Sequence, residues 1–178
     1  MERDELLRDY AAGGRDFSKA NLSGLDLAAT KLSSINLIRA NLSGTVLKGA
    51  NLSGAFLVMA DLKETDLQSA TLVMANLSGA DLQGANLSRA NLCEAVLTGT
   101  LLTNSNLSAA ILQGAILAGA NLTNANLRQA DLRGANLYGA DLQNTDLSQA
   151  NLTRTNLREA NLTGATLPEG ELQGTTKR

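Results

Sequence analysis

The chain has 178 residues, 15 basic and 17 acidic side chains for a formal net charge of −2, 44% hydrophobic residues and only 2% aromatics. So balanced a charge supplies no field for drawing in nucleic acid or an anionic membrane surface. The lack of any histidine removes the commonest general base, the commonest zinc ligand and every Ser–His pair.

The chain opens MERDELLRDYAAGG, with four acids and no apolar run, which reads as neither a signal peptide nor a membrane span. Over residues 2–12 the spacing of Leu6, Leu7, Tyr10 and Ala11 predicts a short helix with one apolar stripe, stopped by Gly13 and Gly14. The lone Cys93 suits a reducing compartment, and a cytoplasmic protein is expected.

From Arg15 onward a period of five takes over. Phe17 is followed by Leu at every fifth position from Leu22 to Leu172, making 32 consecutive units centred on these residues. Two before the centre stands Ala in 21 units and Thr in six; one before it stands Asn or Asp in 22; two after it stands Gly in 13. An α-helix scatters such leucines around all its sides, because five residues rotate each one by ~140° from the last. A straight strand flips them to alternate faces, because the period is odd. Both conflicts vanish if the chain turns a corner every five residues. Centre and centre-minus-two then point inward together, and the corner resets the phase. Gly two after the centre, with Asn104, Asn124 and Asn144 in the same slot, suits a turn position with positive φ. Large residues at Leu25 and Ile35, where Ala usually stands, are expected to fill a roomier lumen in the first two coils or to mesh with Leu6, Leu7 and Tyr10.

Tandem A(D/N)LXX, as in ANLTNANLRQADLRGANLYGADL from Ala120 to Leu142, resembles the pentapeptide-repeat family, and the opening ELLRDYAAGGRDFSKANLSG and closing GATLPEG resemble its cyanobacterial members. The resemblance implies an all-β solenoid, a right-handed quadrilateral β-helix with four repeats per 20-residue coil. The expected layout is a capping helix over 1–14, about eight coils over 15–174 and a polar tail over 175–178. Pro168, Gly170 and Glu171 break the pattern, so the last coil is expected to fray or to lie under the tail.

No catalytic constellation is left once the repeat is accounted for. Cys93 has no base beside it, Asp61, Asp81 and Asp141 are ordinary repeat residues, and the Gly spacings are corners of the coil. A non-enzymatic protein with no cofactor, no metal and no small-molecule substrate is expected. Arg128, Arg133, Arg154 and Arg158 are interleaved with Asp131, Asp141, Asp146 and Glu159, which predicts local ion pairing rather than nucleic-acid binding.

Function is therefore sought on the outer faces. With 20 residues per coil, one face stacks Phe56, Val96 and Ile116 where Asn or Asp is usual, with Ile38, Val58 and Met59 just after the centres and Tyr138 further along. The adjoining face adds Val73, Met74, Cys93 and Ile111. Contiguous exposed apolar area of this kind marks a protein–protein contact, so a protein partner or a second copy of the chain is expected. Val46 and Leu101 are apolar residues on the other two faces, so the strip is a concentration rather than a monopoly. The alternative taken from the resemblance is a DNA-mimicking protector of a type II topoisomerase. That role rests on a strongly acidic, phosphate-like surface.

Overall fold

The structure, a computed structural model, describes residues 1–169. It begins with helix α1, Arg3–Ala11. The Glu5 carboxylate accepts the Glu2 N–H (3.2 Å) at its start. At its end Gly13, with φ 98°, turns the chain out. The N–H of Gly13 bonds Tyr10 O and that of Gly14 bonds Asp9 O.

From Asp16 the chain coils. Every residue one before a centre pairs in parallel with the residue 20 further on, from Asp16 with Asn36 to Asp146 with Thr166. Coil 1 is 15–34, coil 2 is 35–54, and so on to coil 8, which starts at 155. Four repeats make one turn, so four faces stack along the rod. Face 1 carries the centres Phe17, Leu37, Leu57 through Leu157; faces 2, 3 and 4 follow in chain order. From Phe17 to Leu147 each centre N–H donates up the rod, as Leu57 does to Asn76 O (2.7 Å), and from Asn36 to Thr166 the residue before the centre donates down, as Phe56 does to Ile35 O (2.9 Å).

Three local devices make each five-residue unit. The centre carbonyl accepts the N–H three residues on, closing a β-turn whose third residue has positive φ. Glycine meets that requirement without strain, as at Gly79 (φ 64°), and Asn104, Asn124 and Asn144 adopt it as expected. The chain also forces it on Met59, Met74, Arg39 and Glu94, all near 57°. The second device is the Asn or Asp before the centre. Its side-chain oxygen accepts the N–H of the residue after the centre, as Asn76 does from Ser78 (3.0 Å), a bond made at all 22 such positions. The third lies inside. Thr45, Thr65, Thr100, Thr145 and Thr155 are fully buried two before their centres, and each hydroxyl donates to a centre carbonyl of the previous coil, as Thr45 does to Leu22 O (2.9 Å). That bond makes an inward Thr tolerable in a column of Ala.

Helix α1 closes the first coil. Leu6 is fully buried in the core, and Leu7, Tyr10 and Leu25 pack against it, with Ile35 fully buried one coil in. Coil 1 has no coil before it to donate to its carbonyls, and the N-terminal segment supplies substitutes. The terminal amine donates to Asn21 O (3.4 Å), Arg3 Nε to Asp26 O (2.9 Å) and Tyr10 Oη to Ser33 O (2.8 Å). At the other end the ladder reaches Thr166, with Leu162 and Leu167 half-buried. Whether the tail covers the last coil lies outside the described residues.

Candidate interaction surface

The structure places the nine strip residues as follows. Phe56, Met59, Met74, Ile111 and Ile116 are exposed, at 48%, 57%, 65%, 37% and 40%. Ile38, Val58, Val73 and Val96 are half-buried. On face 1 the bridging column reads Asn36, Phe56, Asn76, Val96, Ile116, Asn136, each paired with the next. Met74 and Met59 stand at the two corners flanking Asn76. The Met59 thioether lies over the bare corner of Gly79, where a Cβ would meet its sulfur at 2.6 Å. Face 1 thus gathers Ile38, Phe56, Val58, Val96 and Ile116 onto one side. Val73 and Ile111 belong to face 4, which a four-sided section turns toward a different direction.

The apolar residues carry a local cost that sequence reading alone did not reveal. A hydrocarbon before the centre cannot accept the N–H after it. The amides of Val58, Thr98 and Ala118, which follow Phe56, Val96 and Ile116, accordingly lack the bond that every Asn or Asp provides, and among the described residues no other protein group accepts them. The same loss falls three times on face 4, at Lys31, Thr71 and Ile111, and once each on faces 3 and 2, at Val46 and Leu101. What sets face 1 apart is that all three of its substitutes are apolar, three of the six apolar ones in the column.

On the rod two basic side chains are paired locally. Lys63 lies 3.0 Å from Asp81 and 3.7 Å from Asp61. Arg133 grips Asp131 through Nε (2.8 Å) and a terminal nitrogen (2.7 Å), and Gln113 donates to the same carboxylate (2.7 Å). The Arg133 bonds, foremost, pull the Asp131 carboxyl down to about 2 against the opposing effect of burial. A depressed folded value gives stability that is present above the unfolded value, near 4, and is lost as pH falls through about 2. Arg133 is half exposed, so solvent screening limits the contribution to about 1 kcal/mol. Asp131→Asn is expected to remove that part of the acid sensitivity, measured as a smaller loss of urea stability between pH 5 and pH 2. An unchanged loss would show that the pair contributes nothing.

Among the described residues no group of three His, Cys, Asp or Glu side chains could hold a metal ion, and no helix is long and apolar enough to cross a membrane. Cys93 is a free, half-buried thiol.

A family model for pentapeptide repeats matches the chain in eight copies, over residues 20–58, 60–99, 100–139 and 135–174. The chain belongs to the pentapeptide-repeat family. Its rod is accordingly a right-handed quadrilateral β-helix, as the resemblance implied. Among solved structures it is similar to HetL of the cyanobacterium Nostoc sp. strain PCC 7120, a pentapeptide repeat protein involved in heterocyst differentiation regulation. That pair is 34% identical over 99% of this chain and 97% of HetL, with a TM-score of 0.34. Another Nostoc pentapeptide repeat protein, alr5209, is 29% identical over 99% and 96% of the two chains, with a TM-score of 0.40. Full-length QnrB1, a plasmid-mediated fluoroquinolone resistance protein, is 22% identical over 92% and 89%, with a TM-score of 0.54, a likeness of fold alone. No curated protein matches the chain.

Proposed function

We propose that this pentapeptide-repeat protein is a non-catalytic scaffold or regulator, cytoplasmic, that binds a protein through the apolar strip centred on face 1. One observation carries the reading. Phe56, Val96 and Ile116 each replace a residue that would complete the local turn, and on face 1 they do so in one column. Local rules broken without a local gain are characteristic of functional surfaces, and exposed apolar patches are characteristic of protein contacts. The topoisomerase alternative needs a continuous acidic field, whereas Lys63 here spans Asp61 and Asp81 and Arg133 covers Asp131.

The test joins stability to binding. Phe56→Asn with Ile116→Asn restores acceptors for the Val58 and Ala118 amides, each bond worth about 1 kcal/mol, which offsets the lost side-chain contact. Urea stability is expected to stay within about 1 kcal/mol per site of wild type. A photo-crosslinking residue at Ala118 is expected to give protein adducts in the native cells, one at Lys48 on face 3 to give none, and the double variant to lose them. A stability loss above about 2 kcal/mol per site would show that these residues serve the rod instead. Adducts that survive the double substitution would sink the strip as the binding surface.

A further inference from the structure

We infer that the occupant of face 1 is a second copy of this chain, docked antiparallel and face to face, so that coil n of one copy meets coil 9 − n of the other. The inference rests on the reading of the strip as a protein-binding surface and adds the partner and its register. A twofold axis lying in the interface and crossing the rod between coils 4 and 5 keeps each column opposite itself and reverses the coil order. The columns of face 1 are complementary under that operation. In the bridging column Phe56 of coil 3 meets the other copy's residue 116, an Ile. In the next column Ile38 of coil 2 meets Tyr138 of coil 7, and Val58 of coil 3 meets Ala118 of coil 6.

Size and charge follow the same sum. At the corner after face 1, the protruding Met59 of coil 3, 57% exposed, meets the bare Gly119 of coil 6. At the ends, Lys19 of coil 1 meets Glu159 of coil 8; both side chains are exposed, and the Glu159 carboxylate, which accepts from the Tyr138 hydroxyl of its own chain, keeps its charge and further acceptor positions for the lysine. The centre is the polar part: Ser78 meets Thr98 and Asn76 meets Val96. The oxygen of Asn76 is already engaged by the Ser78 amide and hydroxyl, so it brings no unsatisfied acceptor.

Neighbouring registers keep Met59 over a glycine, Gly99 or Gly139, and one of them sets Phe56 against Val96, but both lose the charge match of Lys19 with Glu159 at the ends. Sliding by one coil one way sets Lys19 against Gly139 and leaves Glu159 beyond the end of the contact; sliding the other way sets Phe56 against Asn136. Because both rods repeat at the same ~4.8 Å coil spacing, the matches hold along the whole length without adjustment. A face roughly 38 Å long and some 12–15 Å wide gives about 1,000 Å² in total, at the lower limit for a specific contact, so a weak dimer with Kd of order tens of micromolar is expected.

Sedimentation of the purified full chain tests this. Wild type is expected to pass from the 18.5 kDa monomer toward a dimer between about 5 and 500 µM, the range that brackets the expected Kd. Phe56→Asp is expected to stay monomeric throughout. Lys19→Glu is expected to weaken the dimer about tenfold, and adding Glu159→Lys to restore it. Register is read by crosslinking on a Cys93→Ser background. A bismaleimide of about 10 Å reach, the spacing of packed sheets, is expected to join the Phe56→Cys variant to the Ile116→Cys variant when mixed. Neither variant alone is expected to crosslink to itself, since three coil steps, ~14 Å, then separate the two sites along the rod. A wild type that stays monomeric at 500 µM, a dimer indifferent to Phe56→Asp, a charge swap without rescue, or self-crosslinking of either variant would overturn the inference. Strip-dependent adducts of a different protein in cells, with a monomer in the centrifuge, would remove the second copy and leave the binding surface standing. No adducts and no dimer would remove both.

Discussion

Leu97→Ala is expected to cost about 3–5 kcal/mol, the upper part of the range for large-to-small core substitutions. The reason is that the cavity cannot close. Leu97 is fully buried in coil 5, stacked between Leu77 and Leu117, and its own amide is fixed to Ile116 O at 2.7 Å. A globular core can relax by shifting a helix; here the coils above and below are already held at hydrogen-bonding distance on every face, and the lumen keeps its width. The control is Leu162→Ala in the last described coil, where the side chain is only half-buried and a loss below about 1.5 kcal/mol is expected. Urea unfolding followed by circular dichroism compares the two. Equal losses would mean that burial within the stack does not set the contribution of a centre residue.

Leu6→Asp is expected to undock α1 and turn a rod that goes no further than a side-by-side dimer into one that associates end to end. A nine-residue helix is marginal by itself, so its formation depends on docking, and a carboxylate in place of a fully buried leucine forbids docking. Undocking exposes Phe17 and Leu22 and frees the carbonyls of Asn21, Asp26 and Ser33, which the terminal amine, Arg3 and Tyr10 now engage. Uncovered backbone acceptors beside an apolar end template pairing with another chain. Light scattering should report a mass that rises with protein concentration well beyond a dimer, with loss of the helical signal. Arg8→Ala, on the exposed side of the same helix, should change neither. A Leu6→Asp variant that keeps its helix and grows no larger than the wild type would show that α1 is not the cover. This association is separable from the side-by-side dimer, because Phe56→Asp should leave it intact.

The two kinds of surface illustrate how the rod divides its residues. The Leu and Ala columns fill the lumen and cannot be surrendered at many positions without loss of the stack, whereas the Asn and Asp of the bridging column complete turns on the outside. The bridging column tolerates an apolar substitute because the bond it gives up is a single outer one, about 1 kcal/mol, with the ladder on either side unaffected. That makes it the position at which a binding surface can be added unit by unit.

Much of this was legible in the chain itself, because the repeat is local. Leucine every fifth residue, with small residues two before it, determined that the chain turns a corner in each unit and which side chains point inward. The apolar deviations at Phe56, Val96 and Ile116 could be counted before any coordinate was known, and their stacking followed once four units made a coil. What the chain did not disclose lies between coils. Met59, Arg39 and Glu94 have no local reason to take positive φ, yet each does, because its amide is held by the next coil, as Met59 N–H is by Ser78 O (3.0 Å) and Arg39 N–H by Val58 O (2.9 Å). The inward threonines looked like imperfect alanines until the previous coil's carbonyls gave their hydroxyls partners. The same holds for the cap: the stripe on α1 was evident, but the matching of Met1, Arg3 and Tyr10 to three orphaned carbonyls was not. Those bonds join residues about one coil or more apart in sequence, and such partners exist only after the chain has coiled back on itself.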